Sequence, residues 1–334
     1  MPRKARASRP RRANPSRGPN RLADVRKTSA ALAALSLAVL ALTGCTAAPT
    51  SGAGACDRPD GSTDLRDAVS VDGEIGGRTD VDLFTPLKAP TSSVADLVVG
   101  DGRAVTGDGQ AMLLQLAIYD GSTGEKIYDE PFDEATTAPI TIRQWADRVP
   151  GLAPALECVT EGSRVVAALS AEDFGAQNAQ AFGIDDDGSA VFVVDVVDVF
   201  LSQAEGALRF NDARNMPTVV RAPDGTPGVI IPDVDAPTSQ TVQTLIEGDG
   251  EELSADQKPL VNFTAVGWDD KKVLRTTWGD APILTLDQMA PPIAEALVGH
   301  TVGSQVLVVV PQTDGSPAMA FVVDILGAVT VPTS

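Results

Sequence analysis

The same series of short motifs occurs twice in this 334-residue chain, in the same order, so its fold must accommodate two copies of one unit. Gly100-Asp101-Gly102 matches Gly248-Asp249-Gly250, each behind a short apolar run. Ala138-Pro139-Ile140 matches Ala281-Pro282-Ile283. Ala155-Leu156 followed by Gly162-Ser163-Arg164-Val165 matches Ala296-Leu297 followed by Gly303-Ser304-Gln305-Val306, at identical internal spacing. Phe192-Val193-Val194-Asp195 matches Phe321-Val322-Val323-Asp324. The offset between copies falls from 148 to 129 residues along the series, so the second copy is the shorter, chiefly after Pro311. A duplicated domain of roughly 120–140 residues is the economical explanation.

Each copy reads mainly as strands. Runs of β-branched and apolar residues bounded by Gly, Asp and Pro predict strands at 112–119, 164–169 and 190–199, and again at 259–266, 305–310 and 318–326. One short helix is expected per copy, at 150–158 and at 291–298, each opening on a proline, which suits the first turn of a helix. Short connections between many strands and one helix predict an antiparallel α+β fold. The Ala, Gly, Ser and Thr-rich residues 45–68 predict a flexible tether, and 201–216 a linker between domains at 69–200 and 217–330.

The N-terminus predicts export. Residues 1–27 carry Arg or Lys at ten positions against Asp24 alone, and a small apolar run follows to Leu42. That is a secretory signal, too short to span a membrane. Leu42-Thr43-Gly44-Cys45 resembles the lipobox of bacterial lipoproteins, which implies cleavage after 44, a lipid on Cys45 and anchoring to the outer face of the cytoplasmic membrane. The alternative is an ordinary cleaved signal with Cys45 incidental. Val25-Arg26-Lys27 ahead of the apolar run also leaves Val25 open as the true start. Removing the ten basic residues and one acid of 1–44 takes the net charge from −19 to −19 − 9 = −28, which argues against nucleic acid as a partner. In an oxidising compartment Cys56 and Cys158 remain as a pair for a disulfide, with two free thiols as the alternative.

The run Val149-Pro150-Gly151-Leu152, Ala155-Leu156, Gly162-Ser163-Arg164-Val165, with Phe192-Val193-Val194-Asp195, resembles the FKBP-type peptidyl-prolyl isomerases, in a tandem lipoprotein form typical of actinobacteria. The resemblance covers about 70–200 and 217–330. It implies two FKBP-like domains, each an antiparallel sheet curled around one short helix, with the active pocket between sheet and helix. It implies no cofactor and no metal, and partners that are unfolded or proline-containing exported polypeptides. Carried over by motif, the first pocket comprises Tyr128, Asp129, Ile140, Val149, Leu152, Phe174 and Phe192, with Phe132-Asp133 as a second register for the Tyr128-Asp129 pair. Leu152 stands where the family places an aromatic, and Phe174 lacks the usual hydroxyl. The second copy departs further: Leu274-Arg275 replaces the aromatic-acid pair, and Met289 to Ile293 replace the turn. Activity is therefore expected only in the first copy. The alternatives are a folding helper that has lost catalysis and a scaffold lipoprotein. Asp185-Asp186-Asp187-Gly188 lacks the alternating ligands of a calcium loop and predicts a hairpin turn.

Overall fold

Two apolar runs in each copy, buried along almost their whole length, form the centres of two antiparallel sheets. The computed structural model describes residues 56–133, 136–210, 213–284, 291–313 and 315–330; the signal, Cys45 and the first part of the tether lie outside them. The first half runs through helix α1 (Thr63–Ala68), strands β1 (Val69–Asp72), β2 (Asp80–Leu83), β3 (Ser93–Val98), β4 (Ala111–Asp120), β5 (Lys126–Glu130) and β6 (Ile140–Thr141). Helix α2 (Ile142–Arg148), a 3-10 turn (Pro150–Leu152), helix α3 (Ala153–Leu156), strand β7 (Arg164–Ser170), helices α4 (Ala171–Phe174) and α5 (Ala176–Phe182) and strand β8 (Ser189–Val199) follow. The second half comprises β9 (Ala207–Leu208), β10 (Thr218–Arg221), β11 (Pro227–Ile230), β12 (Thr241–Glu247), β13 (Gln257–Gly267), β14 (Val273–Thr276), α6 (Pro291–Leu297), β15 (Gln305–Val310) and β16 (Met319–Thr330).

The repeat in sequence is a repeat in topology. The first sheet is ordered β3-β7-β8-β4-β5 and the second β12-β15-β16-β13-β14, with β9 added beyond β12. Ile140 pairs with Met112 beside the first central strand, and Ile283 bridges to Val261 beside the second. The repeated glycines and serines have one structural purpose. Ser163 Oγ accepts from Gly100 N at 3.0 Å and Thr160 Oγ1 donates to Gly100 O at 2.7 Å. Ser304 accepts from Gly248 N at 3.1 Å and Thr301 donates to Gly248 O at 2.7 Å. A Cβ on Gly100 would lie 2.0 Å from Glu161 O, and one on Gly248 2.2 Å from Val302 O, so each crossing admits only glycine.

Both faces of each sheet are covered. Alternation along β4 sends Leu114, Leu116 and Ile118 toward the helices and Ala117 and Tyr119 toward the β1–β2 hairpin. In the second sheet Val261 and Phe263 face α6, while Val266 and Trp268 pack with residues of the β10–β11 hairpin. The repeating unit is thus hairpin, sheet and helix, one layer more than the sheet and helix expected.

One expectation is corrected and two are refined. Residues 56–68 are not a free tether: Cys56 is bonded to Cys158, and Arg58 makes a two-point ion pair with Asp96 and donates to Ala155 O and Glu157 O. Small polar composition signals coil but carries no trace of such ties. The described part of the 201–216 linker is packed. Leu201 and Phe200 pack with Ala111, Leu113, Leu260 and Leu326 between the sheets, and β9 extends the second sheet. The helix expected at 150–158 is present as the 3-10 turn Pro150–Leu152 and α3 (Ala153–Leu156). It is preceded by a helix that was not foreseen, α2, opened at Ile142 by the reciprocal capping box of Thr141 and Gln144 and ended at Arg148 ahead of Pro150. The Asp185–Gly188 segment is the expected turn, closed by Gly188 N donating to Asp185 O at 2.8 Å.

Candidate active site

The helix-side face of the first sheet carries a chain of aromatic rings that leads from the surface to the core. Tyr128 meets Phe182 edge-on at 6.3 Å between centroids, Phe182 meets Phe174 at 5.7 Å, and Phe174 meets Phe192 edge-on at 5.6 Å. Such contacts add to the apolar area they bury. Each ring is placed by its element. Tyr128 on β5 stands opposite Ile118 of β4, Phe192 on β8 opposite the other side of Ile118, and Phe174 ends α4. The α4–α5 segment is tied to the end of α2 by Asn178, whose Nδ2 donates to Phe174 O and Arg148 O at 2.7 and 2.9 Å.

The Val149-Pro150-Gly151-Leu152 turn lies beneath this group. Leu152 N donates to Val149 O at 3.0 Å, and a Cβ on Gly151 would lie 2.7 Å from Asp173 Cβ, so the turn packs directly on α4. Val149, Leu152, Phe174 and Phe192 are all buried, and Ile140 is half-buried against them. At the rim Tyr128 is 39% exposed. Its hydroxyl donates to Glu130 Oε2 at 3.1 Å; burial pushes the phenol's pKa up, and the Glu130 carboxylate pushes the same way.

Tyr128 and Asp129 are not brought together. Tyr128 stands opposite Ile118, on the helix side, and Asp129 opposite Ala117, on the hairpin side. Strand alternation permits nothing else. Asp129 Oδ2 accepts from Lys126 Nζ at 3.0 Å on that far face. The second register does not supply an acid either: Phe132 packs with the cluster between the sheets, and Asp133 closes a turn with Thr137. The carboxylate that the Tyr128 hydroxyl reaches is Glu130.

Two members of the group were not foreseen. Phe182 lies on α5, in the long loop between β7 and β8, where sequence spacing alone does not fix direction. Trp145 lies on α2, buried among the same residues, and its Nε1–H has no hydrogen-bond partner among the described residues. The Arg148 guanidinium lies 6.0 Å from the Trp145 ring centroid. The Thr141-x-x-Gln144 capping signature ahead of Trp145 would have placed it on a helix facing the core.

In the second sheet Phe263 and Phe321 lie 6.3 Å apart, and Ile293 of α6 is buried against them. Arg275 stands opposite Ala265 with its guanidinium 5.9 Å from the Phe263 ring, so a cation occupies the face that an acid would need. Met289 lies outside the described residues. Among the described residues no group of His, Cys, Asp and Glu side chains converges on a metal position, and no helix is long and apolar enough to cross a membrane.

No protein-family model matches the chain, and no curated protein matches its sequence. The solved structures similar to it are FKBP-type peptidyl-prolyl isomerases and multidomain immunophilins. The three FKBP domains of wheat FKBP73 are 15% identical, cover 71% of this chain and 94% of their own, and superpose with a TM-score of 0.30. FkpA from Escherichia coli is 17% identical over 32% of this chain and 47% of its own, with a TM-score of 0.27. A putative peptidyl-prolyl cis-trans isomerase, FKBP12 from Mycobacterium tuberculosis, is 20% identical over 33% of this chain and 86% of its own, with a TM-score of 0.26.

Proposed function

We propose that this chain is an FKBP-type peptidyl-prolyl cis–trans isomerase that acts on exported polypeptides from a lipid anchor on Cys45. The observation that carries the reading is the Tyr128–Phe182–Phe174–Phe192 chain of rings. An X-Pro bond rotates over a barrier of about 18–20 kcal/mol set by amide resonance. Resonance weakens when the amide leaves water and is held twisted against apolar walls, which needs no acid, base or metal. Here the rings supply the walls, the Tyr128 hydroxyl supplies a donor for a prolyl carbonyl, and the second sheet braces the first.

A second reading, a folding helper that binds prolyl segments without catalysis, is favoured by one observation: Asp129 faces away from the rings, toward Lys126. Exchange spectroscopy on a proline peptide with the full chain separates the two. Accelerated cis–trans exchange that Tyr128→Ala suppresses supports the enzyme. Line broadening by binding, with no gain in exchange rate, leaves the helper. The anchor is tested apart from this: Cys45→Ala should release the protein from membranes, and retention would remove the lipid from the account.

A further inference from the structure

Phe174 and Phe192 are closed to solvent, at 1% and 0% exposure, and Val149 and Leu152 are buried with them. Of the four rings, only Tyr128 and the half-buried Phe182 can be touched from outside, so a prolyl ring reaches the rest only if a wall moves. Phe182 is carried by the element most loosely tied to the domain. Helix α5 starts from Gly175 at φ 95° and ends on Gly183 at φ 73°, both in the left-handed region. A Cβ on Gly183 would meet nothing within 4 Å, and one on Gly175 only the end of the Asn178 side chain. Packing therefore does not call for these glycines; the backbone turn at each end of the helix does.

Between those joints α5 is held lightly. Ala176, Gln177, Gln180 and Ala181 are exposed, and the helix backbone packs chiefly on α4. Ala179 and Phe182 are the side chains it sends into the core. Among the described residues one hydrogen bond joins the helix to anything beyond the α4–α5 segment, from Asn178 Nδ2 to Arg148 O at 2.9 Å. A cavity of about 680 Å³, lined by Ala171 and Glu172 of α4 and by Ala176, Ala179 and Gln180, leaves space alongside it. Segments with so few buried contacts open at a small fraction of the global unfolding free energy. The second copy has no counterpart: residues 171–188 join β7 to β8, whereas 311–318 suffice between β15 and β16.

We propose that α5 is a gate over the prolyl site, closed in the free chain by Phe182 and opened by a swing at Gly175 and Gly183. Opening bares Phe174 and Phe192 to the incoming proline. The inference rests on the prolyl-site reading above and adds its regulation. A closed gate weakens apparent affinity in proportion to the fraction of chains that are open.

Exchange spectroscopy of N-acetyl-Ala-Ala-Pro-Phe amide with the full chain tests this. Phe182→Ala should raise kcat/KM by at least about threefold, carried in KM, because the cover is gone. Asn178→Ala keeps the ring but frees the helix, and should act in the same direction. A fixed wall has the opposite sign, so a kcat/KM that falls or stays level in Phe182→Ala overturns the gate. If the wild-type chain does not accelerate exchange, the isomerase reading fails, and the gate is then read with Nile red, an uncharged apolar dye. Folded Phe182→Ala and Asn178→Ala chains should each give at least about twice the wild-type dye fluorescence, since both bare apolar rings. Dye fluorescence equal to wild type in both would overturn the gate by itself.

Discussion

Arg164 and Asp195 face each other on adjacent strands β7 and β8 and meet in a two-point ion pair at 2.6 and 2.7 Å, each only 2% exposed. The pair reaches beyond the sheet. Arg164 also donates to Gly73 O and Glu74 O, and Asp195 accepts from Gly76 N, so the pair fastens the β1–β2 turn to the sheet. Removing one partner leaves a buried charge uncompensated, which costs about 3–5 kcal/mol. Asp195→Ala should therefore lower the unfolding free energy by about that amount. Denaturant titration reads it directly, and a loss below about 1 kcal/mol would mean that water enters to solvate Arg164.

The second sheet keeps the acid and loses the arginine. Asp324 stands opposite Gln305, accepts from Gln305 Nε2 at 2.7 Å and from Ala204 N at 2.8 Å, and so fastens the segment after β8. Burial pushes its pKa up, while the two hydrogen bonds and the charge of Arg221 pull the other way. Because the folded pKa lies above the unfolded one, this group's stabilising effect is fully present below the unfolded pKa. It is lost as pH rises through the folded value. Glu161 and Asp198, in the cleft between the sheets, are raised mainly by burial and act with the same sign. Asp324→Asn cannot ionise. It should gain melting temperature relative to wild type as pH rises from below about 4, the ordinary range of an aspartate, to neutrality. Parallel melting curves across that range would remove Asp324 from the pH response.

The Cys56–Cys158 disulfide closes a loop of 102 residues and holds the segment before α1 against the first sheet. For a loop of that size the chain-entropy limit is about 4.7 kcal/mol. Arg58 ties the same segment to Asp96 and to the end of α3 and keeps part of it in place after reduction. Reduction, or Cys56→Ser, should therefore cost about 2–4 kcal/mol, read as a lower melting temperature in reductant. A drop equal to the full limit would show that Arg58 lets go with the disulfide.

The repeated motifs made the architecture legible because the glycines and serines that recur are those the backbone crossings demand. Gly100→Ala and Gly248→Ala should each destabilise by about 1–3 kcal/mol or more, since a carbonyl occupies the space a Cβ needs. Melting of the two variants checks this; an unaffected melting curve would mean that the crossing relaxes. Strands read well because their apolar runs are long and β-branched. The hairpin layer did not, because β1, β2, β10 and β11 are only four residues each, the first three half polar and β11 opening on Pro-Gly, and gain their place from the sheet they cover. The site was legible only in part. Phe174 and Phe192 were placed by motif, whereas Asp129 was misdirected because a strand position fixes a face only once the register is known. Phe182 carries no motif and Trp145 only the capping signature before it, and the folded loop and helix bring them in.

Tyr128 separates catalysis from packing, because its hydroxyl is a donor that stability does not need. It reaches only the exposed Glu130. Tyr128→Phe should leave the melting temperature nearly unchanged. If the hydroxyl donates to the prolyl carbonyl in the transition state, its loss should lower kcat/KM by about tenfold, close to 1.4 kcal/mol. Carried in kcat, that loss marks a bond made as the amide twists; carried in KM alone, it marks a bond made equally to the resting peptide. Unchanged kinetics would leave the aromatic walls as the whole of the catalytic apparatus.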